Sequence, residues 1–306
     1  MTYDVIVIGG GSAGMSAAVA LGRALRTVLL VDAAAPRNAR AGGIHNYLTR
    51  DGIPPADFRA QGRAEVTRYG GQIIDATVAT AAALEDGLEV TLTDGRRFHG
   101  RRVLAATGLT DELPDIPGLR EQWGRGVLHC PYCHGYEVRG QAIGIIGTSP
   151  IALHHAQLWR QWTEDVVLFQ HTAPEPDASQ ARELAARGIR LVAEKVSEVV
   201  ADGDRVTGVR LIDGTLVARD AVVAASRLVA NAGPLRSLGL EVVETDFGTT
   251  VAAEPNGRTA VPGVWVAGNV TDPMAQVVSS AAAGLQAAAM LNMDLIAEDV
   301  ARAAAG

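Results

Sequence analysis

A run of apolar and β-branched residues, Tyr3–Ile8, ends at Gly9-Gly10-Gly11-Ser12-Ala13-Gly14, and a helix-forming stretch, Met15–Leu25, and a second apolar run, Thr27–Val31, follow. Continuous apolar runs suit strands covered on both faces, so the opening predicts a β–turn–α–β unit in a parallel sheet. In that setting the spacing Gly9-x-Gly11-x-x-Gly14 has a steric meaning. The first glycine permits the tight turn, the second lets the backbone approach a pyrophosphate, and the third lets helix and strand pack closely. The helix N-terminus, at Ser12 and Ala13, faces the anion. Asp32, at the end of the second strand, can accept hydrogen bonds from an adenosine ribose. A glycine turn without a ligand is the alternative; strand, helix and terminal acid together weigh against it. The motif alone does not distinguish FAD from NAD.

A second unit of this type lies mid-chain: strand Gln141–Ile146, turn Gly147-Thr148-Ser149-Pro150, helix Ile151–Trp162 and strand Asp165–Phe169. Pro150 suits the first helical turn. Each unit is followed by a hairpin, Leu88–Leu92 with Arg97–Val103 and Val206–Leu211 with Leu216–Val222, and by a short strand, Val103–Ala106 and Ala221–Ala225. The chain reads as a partial internal duplication, and 306 residues accommodate about two domains. The predicted class is α/β, with two Rossmann-like three-layer nucleotide-binding domains. The first is discontinuous, residues 1–113 and 240–306, around a central domain, 114–239, that carries both cysteines.

A net charge of -7 argues against nucleic acid or an anionic membrane as partner. No basic segment precedes the first apolar run, so the N-terminus does not resemble a signal peptide. No apolar run approaches the ~20 residues that span a bilayer. The alanine-rich stretch Ser279–Leu291 contains Gly284 and Gln286 and reads as a buried helix. A cytoplasmic protein is the expectation.

Only two cysteines occur, within His129-Cys130-Pro131-Tyr132-Cys133-His134-Gly135-Tyr136-Glu137. Cys-x-x-Cys-His is also a haem c attachment pattern, which requires export. Zinc is a second rival, but four ligands within six residues do not easily close a tetrahedron, and no second such pair exists. A structural disulfide between cysteines three apart closes too small a loop to stabilise much. Redox exchange is the favoured chemistry, with no metal: one thiolate attacks a substrate sulfur and the other resolves the mixed disulfide.

Two further segments, Ala105-Ala106-Thr107-Gly108 and Val261–Asn269 leading to a helix from near Gln276, complete a pattern along the whole chain. With the glycine turn and the cysteine pair, it resembles the low-molecular-weight thioredoxin reductase family. That resemblance implies FAD held by Gly9, Gly11, Gly14, Thr107, Gly108, Gly268 and Asn269, and by the loop containing Asn46. It places Gln276 and Val277 at the flavin pyrimidine edge, where a helix N-terminus stabilises negative charge. It makes Cys133 the flavin-proximal thiol, which exchanges electrons with flavin C4a, and Cys130 the interchange thiol; it also implies a homodimer.

The chain departs from the family in three places. Asn269 replaces an aspartate, and a hydroxyl can still bond to it. His134 replaces the aspartate that serves as general acid; an imidazole titrates near neutrality and favours thiolate formation as a base. Cys-x-x-Cys-His-Gly-Tyr-Glu is similar to the branch that includes the dithiol oxidases of gliotoxin and holomycin biosynthesis. Third, the central turn, Gly147-x-Ser149-x-x-Ala152, carries a Cβ where a pyrophosphate would approach, and no Lys or Arg follows Phe169 until Arg182. Weak or absent NAD(P)H binding is expected. His154 and His155 read as packing or surface residues, and His45 as lining the substrate side. Three functions follow: a dithiol oxidase passing electrons from a small molecule to oxygen, a thioredoxin reductase using NADPH or a donor such as ferredoxin, and a flavin-bearing redox sensor. The partners expected are a small-molecule dithiol or disulfide, or a thioredoxin-like protein.

Overall fold

The computed structural model describes residues 2–305, and its contacts divide the chain into two compact units. The first comprises Met1–Ala39, Ile53–Thr110 and Leu228–Gly306; the second comprises Arg40–Gly52 and Asp111–Arg227.

The first unit is built on a seven-stranded sheet. Its order is Gln72–Asp75, Val28–Asp32, Thr2–Ile8, Arg97–Ala105, Gly87–Leu92 and Val78–Leu84, with Val264–Val266 also beside Arg97–Ala105. Alternation along each strand sorts its side chains to two faces. Val5, Val7, Val28, Leu30 and Leu104 pack under helices with Ala17, Leu21, Leu291 and Leu295. Ile6, Ile8, Leu29, Val31 and Val103 face the hairpin side with Leu88, Val90 and Leu235. Each such side chain contributes roughly 1.5–3 kcal/mol by leaving water, which explains the apolar stretches Val5–Ile8 and Val28–Val31.

The second unit has a five-stranded sheet in the order Arg190–Val192, Val166–Phe169, Ile143–Ile146, Ala221–Ala224 and Val127–Leu128, parallel throughout. Val196–Asp202, Arg205–Leu211 and Leu216–Ala218 form a separate antiparallel sheet. The two α/β units and the discontinuity of the first agree with the sequence.

Four details differ from the sequence reading. The hairpin arm Arg97–Val103 and the strand Val103–Ala106 are one strand, Arg97–Ala105, whose start pairs antiparallel with Gly87–Leu92 and whose length pairs parallel with Thr2–Ile8. Leu216–Val222 is instead broken: the amide of Asp220 bonds the carbonyl of Ala142, and the Arg219 guanidinium meets Asp165, so Ala221–Ala224 enters the other sheet. Residues 40–52, which the sequence assigns to the first domain, lie with the second unit, and residues 228–239, which it assigns to the central domain, lie with the first. There Leu235 enters the core and the Ser237 hydroxyl donates to the Ala81 carbonyl at 2.6 Å. The alanine-rich stretch is part of a longer helix, Val277–Ala305, buried along one face only, with Leu285, Met293 and Val300 exposed.

Helix Ile151–Trp159 carries His154 and His155. Burial, aided by the neighbouring His154, pushes His155 down to about 4. An unfolded histidine titrates near 6.5. As pH falls through that value the unfolded chain takes up a proton that the folded chain refuses, so stability is lost between pH 6.5 and about 4. Urea titrations at pH 7 and 4.5 should show wild type losing about 2 kcal/mol more than His155→Gln. An equal loss in both proteins would remove this account of His155.

Candidate functional site

The candidate cofactor site of the first unit lies at the carboxyl ends of its parallel strands, where open α/β sheets bind ligands. The amide of Gly9 donates to Val31, that of Ala106 to Ile8 and that of Ala267 to Ala105, so four strand ends stop in register. Gly9 turns the chain with φ +106°, and a Cβ there would sit 2.3 Å from the Ala106 carbonyl oxygen. A Cβ at Gly14 would sit 1.8 Å from the Gly9 carbonyl oxygen, while one at Gly11 would meet nothing within 4 Å. The turn is therefore closed on its protein side and open at Gly11, as the spacing predicts. Gly268, with φ +80°, brings its own turn against Ala13, 2.9 Å from where its Cβ would be.

Helix Ser12–Arg23 starts from Gly11 with no capping side chain, so the first N–H groups, including Ser12 and Ala13, point out of the turn without a side-chain acceptor. The hydroxyl of Thr107 is buried and has no hydrogen-bond partner within the protein. An open glycine, an uncapped helix start and an orphaned hydroxyl together fit a dinucleotide with a pyrophosphate at Gly11, Ser12 and Ala13.

Asp32 is buried beside the same turn; a Cβ at Gly10 would fall 2.4 Å from its carboxylate. Burial pulls its pKa upward, but the Arg59 guanidinium and the N–H groups of Ala34 and Gly10 outweigh this and hold it below the ordinary carboxylate range. Arg59 Nη2 donates at 2.6 Å and Arg63 Nη1 at 3.3 Å. Both arginines come from helix Pro55–Arg68, one turn apart. The ribose acceptor expected from sequence is thus already held by two cations, which the sequence reading did not include. Asn231 is another residue it lacked. Its Nδ2 donates to the Thr107 carbonyl at 3.1 Å, its backbone amide to the Gly108 carbonyl at 3.0 Å, and its Oδ1 accepts from Thr110. Gln276 lies just ahead of Val277, where the C-terminal helix begins.

In the second unit, Cys130 precedes a single helical turn, Pro131–His134. The amides of Cys133 and His134 both donate to the Cys130 carbonyl at 3.2 Å, and the two sulfurs lie 2.9 Å apart, within reach of bond formation. A Cβ at Gly135 would meet the Trp162 ring at 2.9 Å, so glycine lets Trp162 close under the turn, with Tyr132 edge-on to it at 5.8 Å. Tyr132 and Tyr136 are exposed. His129 stacks on Trp123 at 5.5 Å, and among the described residues no group of three His, Cys, Asp or Glu is placed to hold a metal ion.

His134 is partly buried, and burial is the main cause that pushes its pKa below the usual histidine value; His45 adds to this and Glu137 opposes it. The imidazole that follows Cys133 in the chain is therefore neutral at neutral pH. His45 lies between two carboxylates, 3.4 Å from Asp51 and 3.5 Å from Glu137. Asn46, expected at the cofactor, donates its side-chain amide to the Tyr132 carbonyl at 2.6 Å, between the two cysteines, from a backbone with φ +61°.

The central turn differs from the first. A Cβ at Gly147 would meet the Gln170 carbonyl at 2.8 Å, and the amides of Thr172 and Ala173 both donate to the Gly147 carbonyl at 3.0 Å. The chain after Phe169 thus folds back on the turn, and His171, with φ +50°, accepts from the Val196 amide at 3.1 Å.

Residues 3–288 match the pyridine nucleotide-disulphide oxidoreductase family. The chain belongs to that family. It is similar to thioredoxin reductase sirT of Leptosphaeria maculans, 32% identical over 316 residues that cover 98% of this chain and 96% of the relative. The crystal structure of HlmI is 46% identical with a TM-score of 0.92, covering 99% of this chain and 95% of that one. The oxidoreductase from Agrobacterium tumefaciens is 37% identical with a TM-score of 0.91, covering 97% and 99%. The thioredoxin reductase-like resemblance read from the motifs is borne out, and with it an oxidoreductase of the pyridine nucleotide-disulphide type. Among the described residues no helix is long and apolar enough to cross a membrane.

Proposed function

We propose that this family member is an FAD-dependent thiol–disulfide oxidoreductase that oxidises a small-molecule dithiol and passes the electrons to oxygen. The observation that carries the reading is the pair of sulfurs 2.9 Å apart, with His134, partly buried and its pKa lowered, directly after Cys133 in the chain. The first unit would hold FAD through Gly9, Gly11, Ser12, Ala13, Gly14, Asp32, Thr107, Gly108, Gly268, Asn269, Gln276 and Val277, a reading supported by the open face at Gly11, the uncapped helix start and the unpartnered Thr107 hydroxyl. When bound, it supplies a two-electron acceptor for the dithiol and can return the electrons to oxygen as hydrogen peroxide.

A substrate thiolate attacks Cys130 Sγ of the oxidised pair, the Cys130–Cys133 bond breaks and Cys133 leaves as a thiolate. The second substrate thiol then attacks the substrate sulfur of the mixed disulfide, closing the product ring and releasing Cys130. Two protons are released along the way, and neutral His134 accepts one of them. Exposed Tyr132 and Tyr136 offer aromatic surface to a small substrate beside the pair. The backbone folded onto the Gly147 turn and the side chain of Ser149 support a central unit that needs no nicotinamide. A thioredoxin reductase using NADPH is the second reading, favoured by the name of the relative sirT.

Anaerobic mixing of the FAD-loaded enzyme with dithiothreitol, NADPH or NADH, followed by flavin absorbance, separates these. Bleaching by the dithiol alone, with peroxide formed when air is admitted, is expected. Bleaching by micromolar NADPH would overturn the proposal in favour of the reductase, and no bleaching by any donor would favour a redox sensor.

His134→Ala is expected to slow bleaching by the dithiol roughly 10²-fold with FAD content unchanged. Because the pKa of His134 is depressed, the ratio of the wild-type rate to that of His134→Ala, in which the titration of the substrate thiol cancels, should hold as pH falls through 6.5 and narrow only at lower pH. Stopped-flow rates from pH 5 to 8 check both points; a wild-type rate in the variant removes the role.

A further inference from the structure

Asn269 stands where the resembled family carries aspartate, and its surroundings explain the amide. It sits in the helical turn Gly268–Val270, just after the sheet ends at Val266. Its Nδ2 lies 3.0 Å from the Asp272 carbonyl oxygen, 3.3 Å from that of Pro273 and 2.9 Å from that of Ala275. Two N–H bonds are shared among three acceptors, and this fixes which way the amide faces, because an oxygen there would confront three oxygens. The segment has few other ties: Thr271 and Asp272 donate to the Gly268 carbonyl, Ala275 donates to that of Asp272 at 3.2 Å, and the Met274 amide donates to the Asp272 carboxylate at 3.1 Å. Pro273 has no N–H to give. Two residues after Ala275, at Val277, the chain enters its 29-residue C-terminal helix, with the Ser280 amide bonded to Gln276 at 2.8 Å.

We propose that Asn269 is a positioning residue that works by donation: its NH₂ group ties 272–275 into the turn that sets the start of the C-terminal helix. Its Oδ1 is then left to accept from a ribityl hydroxyl, a part of the inference that rests on FAD being the cofactor. Aspartate can perform the second task but not the first, since a carboxylate has no hydrogen to share among three carbonyls.

The test compares wild type, Asn269→Asp and Asn269→Ala by FAD dissociation constant, by flavin midpoint potential and by thermal midpoint of the flavin-free protein. Both variants are expected to bind FAD at least tenfold more weakly, Asn269→Asp no better than Asn269→Ala. The midpoint potential should fall as the helix N-terminus ceases to be held toward the reduced, negatively charged flavin. Wild-type affinity and potential in Asn269→Asp would overturn the proposal, because an acceptor alone would then suffice. The flavin-free thermal midpoint separates the two readings. If wild type binds no FAD, the cofactor reading fails, while a lower midpoint in both variants still supports the turn; an unchanged midpoint in Asn269→Asp overturns it. Should Asn269→Asp fold too poorly to purify, Asn269→Ser, with one hydroxyl donor, is expected between Asn269→Ala and wild type. Asn269→Ser no better than Asn269→Ala also overturns the proposal.

Discussion

Cys133→Ser enzyme is expected to lose dithiol oxidation by at least about 10³-fold while retaining its flavin. The reason is electronic rather than steric. Serine fits the turn, but no Cys130–Cys133 disulfide can form, so the substrate thiolate has no sulfur–sulfur bond to attack. Cys130→Ser should fall as far. The two variants differ when an aromatic disulfide is supplied in place of a dithiol. If Cys130 is the interchange thiol, Cys133→Ser accumulates a stable mixed disulfide, visible as a mass increase with release of one aromatic thiol per chain. Cys130→Ser should react far more slowly. The same adduct rate in both would reverse or erase the division of labour between the cysteines, and appreciable turnover in either would remove the pair from the mechanism.

The legible parts of this chain are those in which chemistry is written locally. Gly9, Gly11 and Gly14 can be read because their reasons are steric and lie within six residues: a positive φ, an open face and a carbonyl 1.8 Å from a would-be Cβ. Cys130 and Cys133 are legible as a pair for a similar reason, since a spacing of three residues across one helical turn brings the two sulfurs to 2.9 Å. The rest depends on partners far along the chain. Asn231 fixes Thr107 and Gly108 across more than a hundred residues, and polar side chains at strand ends carry no pattern that distinguishes this one. Arg59 and Arg63 look like ordinary solvent-facing helix residues until the helix is laid beside Asp32. The resemblance of its loop places Asn46 at the cofactor; its side-chain amide donates to the Tyr132 carbonyl 86 residues away, a partner that the loop itself does not announce. The strand Arg97–Ala105 was cut in two because a hairpin arm and a parallel core strand carry different patterns, antiparallel alternation and then a continuous apolar run. One strand carries both: one edge pairs with Thr2–Ile8, while the other pairs antiparallel with Gly87–Leu92 and then parallel with Val264–Val266.

Gly284→Ala tests the packing on which the cofactor turn stands. In an exposed helix this change stabilises by about 1 kcal/mol, because glycine is the poorer helix former. Here the added Cβ would lie 2.0 Å from the Ala13 carbonyl oxygen and 2.7 Å from its carbon, both of them backbone atoms that no rotamer change can move. Relief requires the C-terminal helix to shift from helix Ser12–Arg23, opening the contacts that bury Ala17, Leu21, Leu291 and Leu295. Such overpacking costs about 1–3 kcal/mol, occasionally more, which outweighs the propensity gain and reverses the sign. A net loss of about 2 kcal/mol is expected from urea titration. On the proposed FAD site, FAD content should fall with it, because Ala13 is also in the first turn of the uncapped helix that would face the pyrophosphate. Ala282→Gly, at an exposed position of the same C-terminal helix, calibrates the propensity part alone and should destabilise by about 1 kcal/mol with FAD content unchanged. If Gly284→Ala proves as stable as wild type, the helices are not held at the separation that the glycine permits, and the close approach of Gly284 to Ala13 is not what sets the turn.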